Sequence, residues 1–365
     1  MIQHNLGIVK YKQEDFIVKE KVIIKSTNGK NYSLFILKRN NCSLFNSLMR
    51  LSKIMKLPIS RFHFFGEKDK YAVTTQLIWT PKLRFLEERI VTRDFELIYL
   101  FDVKEVDSSW MLGNKFKITV RKIAKPEMVE ERIKKLIDGK VNIPNYYDIQ
   151  RFGKRRINHI IGYYLLNSKY YEASYLFLCI YSKNENHKVK KIRRKLNELF
   201  VDGSFRIDEA IGIKMPQYMD VEKIFLRILS KTRNFKKVWK EFPSKWTSLF
   251  KESYYSYTFN KSIAQKIKTT TKNYFTYEYP IDVPPEFDSF LAGFEKKIEL
   301  VYPLEKLDIR IGEKIKNREI FLNPMIYSYD FRKDDMFEGY YRLDIEFFLG
   351  RGSFATNLLT FILGG

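Results

Sequence analysis

The stretch His63-Phe64-Phe65-Gly66-Glu67-Lys68-Asp69-Lys70-Tyr71-Ala72-Val73-Thr74-Thr75-Gln76-Leu77-Ile78-Trp79 sets two apolar segments on either side of a turn crowded with charge. His63-Phe64-Phe65 reads as one strand and Thr74 to Trp79 as another, because aromatic and β-branched residues suit a pleated, half-buried surface. A polar loop between two buried strands is where chemistry is usually placed. Asp69, flanked by Lys68 and Lys70, sits among positive charges that favour an ionised carboxylate, able to act as nucleophile or base. The plainer reading of the same residues is a solvated hairpin turn.

Around this stretch the pattern is mixed. Upstream, Asp15 to Glu20 and Ser33 to Leu37 read as strands. A helix then has Ser43 as N-cap, apolar residues at Leu44, Leu48, Leu51 and Met55, and Pro58 beyond its end. Downstream, Phe116, Ile118 and Val120 alternate with polar residues as a strand does, and Val129, Ile133, Leu136 and Ile137 recur at helical spacing before Gly139. Strands mixed with helices, without a strict βαβ rhythm, predict an α+β fold with a central mixed, largely antiparallel sheet. Beyond about residue 167 the texture becomes helix-like and aromatic, with basic runs at 188–195 and 231–240 and a Pro-rich connector, Tyr279 to Pro285. Leu343, Ile345, Phe347 and Leu349 then alternate again, and Ala355 to Leu363 can form a helix. The expected organisation is a discontinuous domain, 1–167 and 316–365, carrying a mainly helical insertion, 168–315.

Composition narrows the function. With 365 residues, 45% of them hydrophobic and 16% aromatic, the chain can bury a core, which excludes a disordered protein. Lys and Arg number 66 against 43 acids, a formal charge of +23 that predicts a polyanionic partner. Two isolated cysteines and four histidines without ligand spacing offer neither a disulfide framework nor a metal site, and no phosphate-binding glycine loop is present. Neither a signal peptide nor a membrane span is expected, so the protein is read as cytoplasmic.

A second cluster, Asn145-Tyr146-Tyr147-Asp148-Ile149-Gln150-Arg151-Phe152-Gly153-Lys154-Arg155-Arg156, combines rings for stacking, amides for base edges and cations for phosphates. An amphipathic core element with a basic exposed face would look the same.

Together the two clusters resemble the TruD family of pseudouridine synthases, in an archaeal-like form. The family signature G-x-K-D-x-x-A-x-T-x-Q is matched by Gly66, Lys68, Asp69, Ala72, Thr74 and Gln76. N-Y-[FY]-G-x-Q-R-F-G is matched by Asn145, Tyr146, Tyr147, Gln150, Arg151, Phe152 and Gly153. Gly7, Lys10, Glu14-Asp15-Phe16 and Glu20, then Gly113-Asn114 with Phe116 and Arg121, and finally Gly352-Ser353-Phe354-Ala355-Thr356 follow the family order. The resemblance implies a pseudouridine synthase fold with a family-type insertion domain, and the isomerisation of a tRNA uridine without metal, nucleotide or other cofactor, by a monomer. It implies Asp69 as the catalytic aspartate, attacking C1′ or taking a proton at C2′. Lys10, Phe16, Lys68, Asn145, Tyr147, Gln150, Arg151 and Phe354 are implied around the target uridine, with Tyr147 and Phe16 as the stacking rings. A D-arm uridine is the first implied substrate and an anticodon uridine the second.

Of the basic runs, Lys190, Lys191, Arg193, Arg194 and Lys195 are expected to hold tRNA phosphates. Two positions depart from the family pattern: Asp148 stands where the family has glycine, and Phe65 replaces a small residue. The first is expected to repel RNA and to constrain the backbone, and the second to crowd the loop of Asp69. A catalytically impaired RNA-binding descendant of this fold, and a metal-dependent nuclease using Asp69 and Glu67, are the alternatives that the charge allows.

Overall fold

The computed structural model describes residues 1–25, 29–83, 87–182, 185–201, 203–269 and 319–364. The chain opens with β1 (Ile2–His4), β2 (Gly7–Val9), β3 (Phe16–Val22), β4 (Tyr32–Asn40), α1 (Leu44–Ile54), β5 (His63–Phe64) and β6 (Val73–Pro81). It continues through β7 (Arg89–Val91), β8 (Phe95–Val103), β9 (Met111–Ile123) and α2 (Pro126–Ile137). Next come α3 (Asn158–Leu166), α4 (Tyr170–Cys179), α5 (His187–Glu198), the hairpin β10 (Phe200–Val201) and β11 (Ser204–Phe205), and α6 (Ile207–Ile211). After α7 (Asp220–Thr232), α8 (Phe235–Glu241) and α9 (Ser244–Thr269), the chain closes with β12 (Met325–Lys333), β13 (Tyr341–Gly350) and α10 (Ala355–Leu363). Among the described residues no helix is long and apolar enough to cross a membrane.

The described residues pack as two units, one of 1–145 with 319–364 and the other of 146–269. In the first, eleven strands form one sheet in the order β1-β2-β9-β3-β6-β4-β8-β7, with β13 and then β12 joined through β9, and β5 on β6. Only β3 and β6 run parallel; every other described pairing is antiparallel. The mixed, largely antiparallel sheet is therefore as expected. Successive strand residues face opposite sides, so Phe35 and Leu37 pack under Leu44, Leu48 and Leu51 of α1, while Leu34 joins Leu77 and Trp110 on the other face. Ser43 caps α1 as read from sequence, its hydroxyl accepting from the Asn46 amide at 3.2 Å. Helices α2 and α10 cover the β9 and β13 end of the sheet, burying Val129, Ile133, Leu358 and Ile362 against Ile118, Val120 and Ile345. Gly139 ends α2 with φ +67°, a conformation that costs a residue with a Cβ.

Phe65 does not sit on a buried strand. Strand β5 stops at Phe64 and is exposed at both residues, and the Phe65 ring leans on Trp79 with centroids 4.9 Å apart. Its bulk is accommodated in that cluster.

The second unit is helical and built around rings. Phe177, Phe225, Trp239, Phe242 and Phe250 form one buried cluster, with Trp239 Nε1 donating to Ser174 Oγ at 2.9 Å. The packing divides after Asn145, whereas the expected boundary lay at 167. The cause is α3, which crosses α9 so closely that a Cβ at Gly162 would meet the Phe250 carbonyl oxygen at 2.0 Å. The Pro-rich connector lies outside the described residues.

Candidate active site

Lys10 follows β2 with φ 57°, a left-handed conformation that costs a non-glycine residue roughly 1 to 2 kcal/mol. From there its ammonium donates to the Asp69 carboxylate and lies 4.1 Å from the centroid of the Phe16 ring, at the start of β3. The Lys10 side chain is buried and that of Asp69 is 43% exposed, so the carboxylate is gripped from one side and open on the other. Phe16 is 3% exposed, with its ring against Phe116 and beneath the ammonium. Expected as a stacking ring, it instead supports Lys10 by a cation–π contact.

The loop that carries Asp69 is braced from below. Arg39, on β4, is 2% exposed and donates to the Cys42 carbonyl at 2.7 Å, to Gln76 Oε1 at 2.9 Å and to the Lys68 carbonyl at 3.5 Å. Gln76 Nε2 in turn donates to the Gly66 carbonyl at 3.3 Å. Burial lowers the pKa of Arg39, with Cys42, Glu67 and Asp69 working in the opposite direction. Lys68 was expected to stand beside Asp69, but its ammonium turns inward to Glu20 at 2.7 Å, whose other carboxylate oxygen accepts from the Leu77 amide at 3.0 Å. The cation held against Asp69 is Lys10. Arg39 was missed because nothing in the local sequence marks it; only the pairing of β4 with β6 puts it beside Gln76.

The segment after Lys10 is anchored as well. Arg121, on β9, donates to both oxygens of Asp15 at 2.8 Å and to Asp335 at 2.8 Å, and Asp15 also accepts from the Lys12 amide at 2.8 Å. The Asp15 carboxylate raises the pKa of Arg121, and the Arg121 guanidinium holds the Asp335 carboxyl well below the ordinary range. Asp15 and Arg121 thereby tie down the backbone two residues after Lys10.

Asn145 closes the first unit's part of the second cluster. It is buried, donating from its amide side chain to the Glu319 carbonyl at 3.0 Å and from its backbone to Ile320 at 2.8 Å. Phe354 is half-buried at the N-cap of α10.

The remaining cluster residues belong to the second unit. The Tyr147 backbone exchanges two hydrogen bonds with the Asn260 side chain, at 2.8 and 3.1 Å, leaving its half-buried ring edge-on to Phe259. Arg151 is tied to α9, donating to Glu252 at 2.7 Å and to Ser256 at 3.2 Å. Gln150 is exposed. Asp148 has φ −64°, open to any residue, and its carboxylate caps the short turn Ile149–Phe152 by accepting from the Gln150 amide at 2.9 Å. The backbone constraint expected there is absent. His159 stacks on Tyr257 with centroids 4.5 Å apart, and burial lowers its pKa to about 3.

The basic run forms α5, and its residues separate. Lys191, Arg194 and Lys195 are exposed and Lys190 is half-buried. Arg193, expected to meet phosphate, is 3% exposed: it donates to the Phe177 and Leu178 carbonyls and to Glu222 at 2.7 Å. With Arg155, which donates to the Leu176, Phe177 and Ile180 carbonyls, it closes the C-terminal end of α4.

The family described as tRNA pseudouridine synthase D (TruD) matches residues 3–278. A Pyrococcus abyssi protein named "Probable tRNA pseudouridine synthase D" is 30% identical over 338 residues, covering 90% of this chain and 77% of its own. A Nanoarchaeum equitans protein of the same name is 30% identical over 384 residues, with 95% and 96% covered. In three dimensions the chain is similar to the crystal structure of a Methanosarcina mazei protein assigned to TruD, with TM-score 0.66 and 21% identity over 100% of this chain and 94% of that one. That likeness is one of fold.

Proposed function

Because the chain belongs to the TruD family of tRNA pseudouridine synthases, we propose that it isomerises one uridine of tRNA to pseudouridine with Asp69 as the reacting carboxylate. The observation that carries this reading is the Lys10, Asp69 and Phe16 arrangement: an open carboxylate gripped by a buried ammonium that is itself seated on a ring. In the reaction the bond from N1 of the base to C1′ breaks, the base turns, and C5 bonds to C1′. The proton lost from C5 balances the one gained at N1. Asp69 starts this by attacking C1′ or by removing a proton from C2′, and Lys10 aims the carboxylate in either case.

The uridine must leave its stack, at a cost of a few kcal/mol that is lowest in a loop or at a mismatch. With Phe16 buried, Tyr147 is the ring proposed to receive it, stacking being worth roughly 1 to 3 kcal/mol per base. Asn145, Gln150, Arg151 and Phe354 are each proposed as contacts of the substrate RNA, and Lys68 as the brace of the Asp69 loop. A D-arm uridine is the proposed target and an anticodon uridine the second choice. The protein is proposed to work as a cytoplasmic monomer without a cofactor.

The test is to incubate the full chain with unmodified tRNA transcripts, without added metal, and to map pseudouridine. Conversion at a single D-arm position is expected. Binding without conversion of any uridine would refute the reading in favour of a non-catalytic RNA binder.

A further inference from the structure

The second unit holds an open groove of about 930 Å³ between one face of α5 and the segment after α6. Helix α5 is amphipathic: Val189, Ile192 and Leu196 turn toward the core. Lys188, Lys191 and Lys195, spaced three and four residues apart, therefore share the outward face. They line the groove together with Lys214. The floor is apolar, made by Ile192, Ile213, Met215 and Pro216.

The charges of this groove are unbalanced. Among the described residues none of the four lysines has an ion pair, as also holds for the exposed Lys231, Lys236, Lys237 and Lys240, whereas Lys223 meets Asp220 at 2.9 Å and Arg233 meets Asp208. The lining holds one acid, Glu209, and Arg206 lies 3.6 Å from it. Four ammonium groups without an ion pair among the described residues, above an apolar floor, match an extended polyanion that carries flat apolar groups between its charges. Lysine is a point-charge partner for phosphate, and ribose and base faces fit the floor.

We propose that this groove binds a single-stranded or loop segment of the RNA substrate, with Lys188, Lys191, Lys195 and Lys214 on consecutive phosphates and Ile192, Ile213 and Met215 under the sugars and bases. The proposal rests on the tRNA reading above. It separates the basic run into residues that hold RNA and residues, such as Arg193, that hold the fold.

The experiment compares two quadruple variants of the full chain for binding of an unmodified tRNA transcript across a salt series. Lys188→Gln, Lys191→Gln, Lys195→Gln and Lys214→Gln together remove the groove charge. Lys231→Gln, Lys236→Gln, Lys237→Gln and Lys240→Gln remove the same charge from α7 and α8. Each phosphate contact contributes roughly 0.7 to 0.9 to the slope of log K against log salt, so the groove variant should lose about 3 from that slope and the control less than 1. Equal slopes in the two variants would overturn the proposal, as would an unchanged slope beside binding of an acidic protein. Should the groove variant fail to fold, acetylation of the native protein decides: tRNA should shield the four groove lysines, and equal reactivity with and without tRNA would overturn the proposal. Pseudouridine is mapped in the same wild-type preparation. Its absence refutes the proposed reaction without bearing on the slopes, and an unchanged slope with product formed refutes the groove alone.

Discussion

Lys10 and Asp69 stand 59 residues apart in the chain and meet in a single ion pair. The pair forms because β3, which starts just after the Lys10 segment, lies parallel to β6, which starts just after the Asp69 loop, so both segments emerge at the same end of the sheet. Each partner has its own brace: Arg121 and Asp15 for the Lys10 segment, Arg39 and Gln76 for the Asp69 loop.

Removing the second brace should be costly. Arg39→Met leaves the Cys42 carbonyl, the Lys68 carbonyl and Gln76 Oε1 without their donor in a buried site, at a cost on the order of 3 kcal/mol. Arg39→Lys keeps the charge but loses the fork, and should fall between the two. Urea unfolding gives the stability, and single-turnover pseudouridine formation should drop about tenfold in both variants as Asp69 loses its fixed position. A turnover unchanged in Arg39→Lys despite lost stability would show that Arg39 supports the fold alone.

Arg39 also shows where sequence reading stops. Elements with strict periodicity were legible: the alternation at Phe116, Ile118 and Val120 is β9, the cap and spacing from Ser43 to Leu51 are α1, and Ala355 to Leu363 is α10. Strand β12 was not read, although Met325, Tyr327, Tyr329 and Phe331 alternate with Ile326, Ser328, Asp330 and Arg332; its side chains are exposed or half-buried on both faces, so burial does not follow that alternation. Likewise β1, β2 and β7 are three residues each, too short for a period to appear. In the site, Asp69 stood out as a charge in a turn, whereas Lys10 and Phe16 came only with the family resemblance. Arg39 and Arg193 were hidden or misread because burial of a cation depends on partners distant in sequence, Gln76 and Glu222.

Asp148 should contribute to stability rather than impede the site. Its carboxylate caps the turn that presents Gln150 and Arg151, so Asp148→Ala should lower the unfolding free energy by about 1 kcal/mol, while Asp148→Asn, which keeps the acceptor, should stay within a few tenths. Thermal or urea unfolding of the two variants measures this. Equal stability of Ala and Asn would show that the cap contributes nothing.

His159 predicts an acid sensitivity. Its imidazole has a pKa lowered by burial from 6.5 to about 3. Between those values the unfolded chain takes up a proton that the folded chain refuses, so stability is full above pH 6.5 and falls as the pH drops toward 3. From pH 7 to pH 5 the loss from this one group is about 2 kcal/mol, at 1.36 kcal/mol per pH unit. His159→Phe keeps a ring against Tyr257 and removes the titration. Denaturant unfolding at both pH values should show a smaller acid loss in the Phe variant by about that amount; parallel losses would assign the acid sensitivity to other groups.

The central claim, that Asp69 performs the chemistry, is tested most directly by Asp69→Asn. An amide of the same shape can neither attack C1′ nor take a proton from C2′, and it leaves the braces formed by Arg39 and Gln76 in place. Single-turnover pseudouridine formation on a tRNA transcript, measured beside tRNA affinity, should show no product with affinity within a few-fold of wild type. Product formed at more than about a thousandth of the wild-type rate, above the residue left when an essential reacting group is lost, would contradict the account.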